Sequence, residues 1–333
     1  MKEKKVLLTV VLVIFCLCTL SGCMDSSIPQ TDDNRFHIVC TTFPQYDWTV
    51  NLIRGNEENV SLTLLMGKGG DLHNFHPSAL DIAKVSACDL FIYVGGESDG
   101  WVDDALKEAV NPDMRIINMM DVISERLVEE EHIEGINGHK KDDHHNKETH
   151  IEHEQEYDEH VWLSIKNAEC IVEEIAEVLE GLDSENADLY EKNCDRYIAE
   201  LNALDIQYTE LVKKSSNDTL LFADRFPFQY FVEDYGLKYY AAFNGCSAET
   251  EASFGTVAFL SNKLDELGLD YVIVLDGSDD RLAQVVIENA GRGHQQILVL
   301  NSLQSVSQKE LRAGLSYLNA MEENLKVLRQ ALR

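Results

Sequence analysis

Histidines are the residues of this sequence whose type and spacing could do chemistry. Two of them, His73 and His76, stand three apart in the segment GGDLHNFHP, directly after a predicted strand. Neutral imidazole nitrogen is a ligand that zinc accepts, and loops leaving parallel strands meet at one edge of a sheet. The pair therefore indicates a metal site, while two hydrogen-bonded surface histidines are the alternative explanation.

A third histidine, His160, ends an acidic stretch and runs directly into the apolar residues 161–163. It precedes a predicted amphipathic helix over 165–182, so we expect the fold to fix its position. Metal ligation, helix capping and burial in the core are all compatible with that place. Asp224 follows a predicted buried strand and could reach the same sheet edge, but a mutual salt bridge with Arg225 is the other possibility.

The segment 131–158 has almost no apolar residues and no periodicity, so it cannot build a packed core alone. Its histidines lie among carboxylates that lower the cost of bringing in a dication. Such a segment could raise the local metal concentration, and a solvated linker with incidental histidines is the alternative. The histidines of this loop are His132, His139, His144, His145, His150 and His153.

The amino terminus reads MKEKKVLLTVVLVIFCLCTLSGC. A basic start, an apolar run and small residues before Cys23 predict a secretory signal peptide over residues 1–22 rather than a spanning helix. The last four of these residues resemble the cleavage box of bacterial lipoproteins, in which the cysteine is lipidated; plain secretion is the alternative. We therefore expect residues 23–35 to tether the mature protein to the outer face of the bacterial cell membrane.

Short β-rich runs alternate with helical patterns after residue 35, which predicts parallel sheets covered by helices. An apolar stripe spaced four, three, four, three predicts a helix over 187–214, roughly 40 Å long at ~1.5 Å per residue. The expected fold class is α/β, with two similar lobes of parallel sheets flanked by helices. One long rigid helix, within 186–215, joins the lobes 36–185 and 216–333, and the cleft between them is the expected site.

Composition excludes several function classes. The net charge is −31, and nucleic-acid binding requires basic patches, so no nucleic-acid partner is expected. The cysteines after Cys23 are scattered and never form a CxxC pair, which argues against a disulfide framework or a thiolate zinc site. The GxSxG segment 96–100 follows a strand as a nucleophile elbow does, but the late histidine, His294, would lie at the wrong sheet edge. A serine hydrolase is therefore a remote alternative, and the chain is predicted not to be an enzyme.

Several segments together resemble the solute-binding lipoproteins of bacterial zinc and manganese ABC importers. The resemblance covers residues 36–333 and implies two α/β lobes, a rigid backbone helix and a divalent transition metal bound between the lobes. The matching segments are CTTFPQYD, GDLHNFHPSALDI, CDLFIYVGGESDGWVDDAL, DEHVWLS and YFVEDYGL, with a looser match at NGCSAETEAS.

Carried over residue by residue, the resemblance places His73 and His160 at two histidine ligands of that family. Two other ligand positions depart from the family pattern, because Arg225 replaces a histidine or glutamate and Asn301 replaces a carboxylate. Arginine has no lone pair to give, so Arg225 cannot be a ligand. The candidates to complete the site, besides water, are His76, Asp224, Glu249 and Glu251.

The sequence therefore predicts a monomeric extracytoplasmic receptor that captures a divalent metal and delivers it to an ABC permease and its ATPase. Imidazole ligands favour Zn²⁺, as does the histidine-rich insertion that zinc-type members of the family often carry; Mn²⁺ and Fe²⁺ are alternatives. Binding should weaken as pH falls through the histidine range near ~6.5. A surface adhesin or a zinc-storage lipoprotein is the rival function.

Overall fold

The computed structural model describes residues 34–130, 156–245 and 252–333. The predicted signal peptide with Cys23, the six histidines of the acidic loop, and Glu249 and Glu251 lie outside the described residues. Within those three ranges, no helix is both long enough and apolar enough to cross a membrane.

The first sheet contains four parallel strands in the order β2-β1-β3-β4. Its strands are β1 (Phe36–Cys40), β2 (Val60–Leu64), β3 (Leu90–Tyr93) and β4 (Arg115–Asn118). Helices follow the strands as α1 (Phe43–Leu52), α2 (Ala79–Ala87), α3 (Val102–Lys107) and α4 (Met119–Val122). The chain then enters helix α5 (Ile165–Leu182) and the connecting helix α6 (Ala187–Lys214).

The second sheet repeats the arrangement of the first, with four parallel strands in the order β6-β5-β7-β8. Its strands are β5 (Thr219–Phe226), β6 (Lys238–Asn244), β7 (Tyr271–Leu275) and β8 (Gln296–Leu300). Its helices are α7 (Gln229–Tyr235), α8 (Phe254–Glu266), α9 (Arg281–Asn289), α10 (Gln308–Arg312) and α11 (Tyr317–Ala331). The predicted α/β fold class, with two similar lobes and one long connecting helix, is thereby confirmed.

Connecting helix α6 is 28 residues long and buries the apolar stripe that the sequence predicts. The stripe packs into one continuous core that also holds Ile38 of β1 and Phe222 of β5, so the same core joins the inner faces of both sheets. Separate, smaller clusters cover the outer face of each sheet. The buried stripe residues are Tyr190, Cys194, Tyr197, Leu201, Leu204 and Tyr208, with Leu211 packed against them.

Polar side chains fix α6 at both ends. Near its start, Tyr190 donates to the Asp183 carboxylate at 2.8 Å, and Asn56 of the first lobe donates to the same carboxylate at 2.9 Å. Near its other end, the Tyr208 hydroxyl donates to the backbone carbonyl of Met321 in α11. Because these groups are buried and paired, sliding the helix would leave them unsatisfied.

One buried carboxylate gives the core a pH dependence that can be measured. Burial raises the pKa of Asp47 in α1 to about 6, although the backbone N–H of Tyr317 donates to it at 2.9 Å. Between its ordinary pKa and about 6, the folded state therefore holds a proton that the unfolded state has released. Stability consequently falls as pH rises through that window.

We expect Asp47→Asn, which cannot ionise, to remove this loss. The free energy of unfolding of the variant minus that of wild type, measured with urea, should be larger at pH 7.5 than at pH 4.5 by on the order of 1–2 kcal/mol. Asp113→Asn, at an exposed site, is the matched control. Its free energy of unfolding should differ from that of wild type by the same amount at both pH values. If Asp47→Asn and wild type differed in free energy of unfolding by the same amount at both pH values, the raised pKa of Asp47 would be contradicted.

Candidate metal site

His73 is held in a single 3₁₀ turn, Leu72–Asn74, after β2. Asp71 caps this turn, since its Oδ1 accepts the backbone N–H of His73 at 3.1 Å. Leu72 is buried and anchors the turn in the core. The His73 side chain is only 12% exposed, so the turn presents the imidazole toward the interior of the cleft.

His160 is completely buried at the start of a second 3₁₀ turn, Val161–Leu163. Asp158 fixes it twice, because Oδ1 accepts the backbone N–H of His160 at 2.7 Å and lies 2.9 Å from Nδ1. A carboxylate accepts hydrogen bonds, so Nδ1 carries the proton and the Nε2 lone pair is free. The ring of Trp162 packs edge-on at a centroid distance of 5.4 Å.

The two histidines meet at their Nε2 atoms, which are 3.3 Å apart. The side-chain amide of Gln304, a buried residue in the loop after β8, completes a triangle with them. Its nitrogen lies 2.6 Å from Nε2 of His160 and 3.2 Å from Nε2 of His73, so it donates to both lone pairs. Turning the amide by half a revolution presents its oxygen to the same point.

The dimensions of this triangle suit a metal ion. A tetrahedral zinc ion with bonds of about 2.0–2.1 Å has neighbouring ligand atoms about 3.3 Å apart. Two of the separations, 3.3 and 3.2 Å, match an edge of such a tetrahedron, and the third, 2.6 Å, is shorter. His73, His160 and Gln304 can therefore supply three donors to one cation.

Ser98 and Glu159 lie beside Nδ1 of His73, and the carboxylate favours a proton on that nitrogen. The Ser98 hydroxyl lies 2.8 Å from Nδ1 of His73, and a Glu159 carboxylate oxygen lies 3.5 Å from the same nitrogen. The other oxygen of Glu159 accepts the backbone N–H of Ser98 at 2.8 Å. Gly96 makes room for this carboxylate: its φ is +78°, and a Cβ there would collide with Glu159. A proton on Nδ1 leaves the Nε2 lone pair of His73 directed at His160.

Electrostatics keeps His73 neutral over a wide pH range. Burial lowers its pKa to about 4, helped by the neighbouring His160 and the positive charge of Arg225, although Asp71 and Asp158 oppose the shift. Protonation of His73 therefore occurs well below the ~6.5 expected from the sequence, because the sequence does not reveal burial.

The loop that carries Gln304 is tightly specified. Leu303 has a φ of +59° and is the one non-glycine residue with a positive φ in the ranges described. Its backbone N–H donates to the side-chain oxygen of Asn301, whose own backbone pairs with Asn324. The indole N–H of Trp162 donates to the carbonyl of Ser302 at 2.9 Å. Asn301 thus shapes the loop, and Gln304 three residues later faces the histidines.

The other residues that the sequence singled out lie differently. Both oxygens of Asp224 accept backbone N–H groups, from Arg225 at 2.8 Å and from Leu275 at 3.0 Å. The Arg225 guanidinium pairs with Asp71 at 2.7 Å and not with the Asp224 carboxylate. His76 is exposed. Neither His76 nor Asp224 is hydrogen-bonded to His73 or His160 in the structure, so their roles as ligands stay predictions.

The sequence did not indicate Gln304, Ser98 or Glu159 as parts of this site. Across the described residues, no group of three or more His, Cys, Asp or Glu side chains is arranged to hold a metal ion. The third donor is the side-chain amide of Gln304, a group that sequence motifs for metal sites do not include. Ser98 is the serine of the GxSxG segment, and its hydroxyl contacts His73. His294, the histidine that a hydrolase would need, is exposed and contacts Arg292. The signal for Gln304 was its place just after the last strand of a parallel sheet.

Comparisons with known proteins agree on one family. A family model described as zinc-uptake complex component A, periplasmic, matches residues 38–331. The zinc-binding lipoprotein AdcA of Streptococcus pneumoniae serotype 4 is 31% identical over 323 residues, which cover 96% of this chain and 60% of AdcA. The chain spans 56% to 60% of the length of the AdcA relatives it matches.

Two further relatives match over nearly their full length. The high-affinity zinc uptake system protein ZnuA of Bacillus subtilis is 27% identical over 320 residues, covering 95% of this chain and 95% of ZnuA. The crystal structure of the Zn(II)-bound ZnuA-like domain of Streptococcus pneumoniae AdcA has a TM-score of 0.68 and 27% identity, covering 90% of this chain and 99% of that domain. The similarity thus extends across both lobes.

The lowered pKa of His73 predicts how acid affects the metal-free protein. Between about 6.5 and about 4, the unfolded state takes up a proton that the folded state excludes, so stability falls as pH decreases. We expect the free energy of unfolding to fall between pH 7 and pH 5 by on the order of 1–2 kcal/mol less in His73→Ala than in wild type. Urea unfolding at both pH values measures this. His294→Ala, at an exposed histidine, is the control, and a loss as large in His73→Ala as in wild type would refute the assignment.

Proposed function

This chain belongs to the zinc-uptake complex component A family, and from that premise we propose that it is an extracytoplasmic receptor that captures Zn²⁺ between its two lobes for an ABC importer. The observation that carries the proposal is the convergence of two imidazole lone pairs and one amide at distances suited to a tetrahedral ion. The relative from Bacillus subtilis that is named as part of a high-affinity zinc uptake system matches along almost the whole chain, which supports the same role.

Each residue around the triangle has a part in binding. Asp158 accepts a hydrogen bond from Nδ1–H of His160, and the Glu159 carboxylate favours a proton on Nδ1 of His73, so that both Nε2 atoms stay available as metal ligands. Asp158 and Glu159 are themselves buried, and their carboxylates offset the charge of a dication taken out of water. One oxygen of Glu159 has no hydrogen-bond partner among the residues described, and a nearby cation would compensate it.

The donor set favours zinc over manganese. Zn²⁺ accepts imidazole nitrogen and four-coordinate geometry, while Mn²⁺ prefers carboxylate, carbonyl and water ligands. Fe²⁺ is compatible with imidazole as well, so binding of Zn²⁺, Mn²⁺ and Fe²⁺ has to be compared by titration. In this proposal the metal is cargo: the chain binds and releases it, and no bond of a substrate is broken.

The acidic loop is proposed to feed the site. The chain enters and leaves it through a short antiparallel bridge between Glu129 and Tyr157, reinforced by a hydrogen bond from Asp158 N–H to the Val128 carbonyl at 2.9 Å. Both ends of the loop are therefore fixed within a few residues of His160. Metal held briefly by its six histidines would be released beside the cleft.

The membrane anchor and the transporter partners are proposed on the same basis. A relative at 31% identity is named a lipoprotein, which supports lipidation of Cys23 and a position on the outer face of the membrane. The permease and its ATPase would then receive the metal from a tethered monomer.

A competitive Zn²⁺ titration by calorimetry on the mature, unlipidated protein tests this function. We expect one tight site in wild type that survives deletion of residues 132–157. His73→Ala/His160→Ala should weaken it by more than ~100-fold, beyond the usual effect of residues that only support ligands. Gln304→Ala should weaken it as well, while Gln304→Glu, which keeps an oxygen donor, should preserve it.

His294→Ala is the matched control, since this histidine is exposed and separate from the pair. Parallel titrations with Mn²⁺ and Fe²⁺ should give weaker binding than Zn²⁺. If the deletion abolished binding while the double variant retained it, the loop would be a zinc store and the receptor function would be wrong.

Asp158→Asn separates support of a ligand from ligation. The variant keeps an oxygen for Nδ1–H but removes the negative charge behind His160, so Zn²⁺ affinity should fall by ~10–100-fold without loss of the site. The same calorimetric titration measures the change, and Asp113→Asn is the control. Unchanged affinity would show that the carboxylate contributes only to folding.

A further inference from the structure

Arg225 crosses from the second lobe to the loop of the first lobe that carries His73. Its guanidinium pairs with Asp71 at 2.7 Å, and the other oxygen of Asp71 caps the backbone N–H of His73 at 3.1 Å. A single carboxylate thus links Arg225 to the segment that positions one candidate ligand. The charge of Arg225 also acts on the imidazole itself, since it contributes to the lowered pKa of His73.

A local irregularity of β5 directs Arg225 to this place. The pairing of β5 with β6 shifts register between Phe222 and Arg225, and the Asp224 carboxylate fixes that shift by accepting the N–H groups of Arg225 and Leu275. Bulges of this kind change the direction in which a side chain points and are common beside functional sites. The half-buried carboxylate of Asp224 thus holds Arg225 in position.

Among the described residues, the hydrogen bonds of the Arg225 side chain go to Asp71 alone. A guanidinium carries five N–H groups in one plane, and the hydrogen bond described for its side chain is the one from Nη2 to Asp71. The Arg225 side chain is 24% exposed, so it borders the solvent-facing side of the cleft. Asp71 therefore neutralises the guanidinium but leaves N–H groups for another oxygen ligand.

The described residues bring three donors together at the candidate metal site, and the further candidates Glu249 and Glu251 lie outside them. His73, His160 and Gln304 supply three neutral ligands, whereas zinc is usually four-coordinate. No further His, Cys, Asp or Glu among the described residues joins them in a metal-binding group.

We propose that Arg225 seats a small oxyanion, of the carboxylate or bicarbonate class, whose second oxygen completes the coordination of the cation, so that the cargo is taken as a cation–oxyanion pair. The inference rests on the proposed zinc site. A planar oxyanion matches the guanidinium fork through one edge and still offers an oxygen to the metal. Its negative charge compensates part of the charge of the cation.

The test is the dependence of Zn²⁺ affinity on the anion, measured at buffered free Zn²⁺ and constant ionic strength with perchlorate as the inert salt. Replacing perchlorate by acetate or bicarbonate should raise the affinity of wild type at least ~10-fold and saturably, a change of about 1.4 kcal/mol. Chloride, a single atom that cannot reach the guanidinium and the metal through separate oxygens, should not reproduce the effect.

Variants of Arg225 distinguish this proposal from a purely structural role. Arg225→Gln should abolish the response to acetate and bicarbonate, and Arg225→Lys should abolish most of it while keeping the ion pair with Asp71. Arg292→Gln, which removes a surface arginine paired with Asp270, is the matched control and should respond like wild type. Circular dichroism confirms that each variant is folded.

Co²⁺ in place of Zn²⁺ gives a second readout. Its visible spectrum depends on the ligands, so acetate or bicarbonate should change the spectrum of wild type but not that of Arg225→Gln. Tight Zn²⁺ binding that does not depend on the anion, or an equal response in Arg225→Gln and wild type, would overturn this inference and leave the receptor function intact. Absence of Zn²⁺ binding under every condition would instead overturn the receptor function.

Discussion

Two imidazole lone pairs face each other across 3.3 Å, and the rest of the site exists to hold them there. Such an arrangement is unfavourable unless positive charge lies between the lone pairs, which the amide N–H groups of Gln304 supply in the metal-free protein. The carboxylate of Asp158 keeps the proton of His160 on Nδ1, and the carboxylate of Glu159 favours the same tautomer for His73. The site is therefore organised in advance for a cation.

Holding the lone pairs requires that both lobes be fixed relative to each other. His73 and His160 come from the first lobe and Gln304 from the second, so a small rotation between lobes would open the triangle. A single core that runs from β1 through helix α6 to β5, together with the polar contacts at both ends of that helix, resists this rotation. Selectivity consequently depends on the rigidity of the frame as much as on the identity of the ligands.

The sequence predicted the fold because its signals are local. Strands such as Tyr271–Leu275 are continuous apolar runs, as buried parallel strands are, and the stripe on helix α6 follows helical spacing without a break. His73 and His160 could be singled out from their place after or before apolar elements and from the resemblance of their segments to a family.

The remaining parts of the site could not be predicted, because they depend on contacts between segments far apart in the chain. Gln304 meets His73 across more than two hundred residues, and an amide carries no metal-binding signature. A salt bridge between Arg225 and its neighbour Asp224 was one of two possibilities. Instead, a register shift in β5 commits that carboxylate to backbone N–H groups, and the guanidinium pairs with Asp71. Burial, which shifts the pKa of His73, is likewise a property of the folded chain.

The bridge between Glu129 and Tyr157 has a consequence for how such proteins diverge. Once the two ends of a segment are pinned, the entropy of closing it grows only slowly with its length, by about 0.6 kcal/mol for each doubling. Histidines can therefore be gained, lost or duplicated between these ends at little cost to the stability of the fold. The number of histidines in this segment can therefore change without any change at His73 or His160.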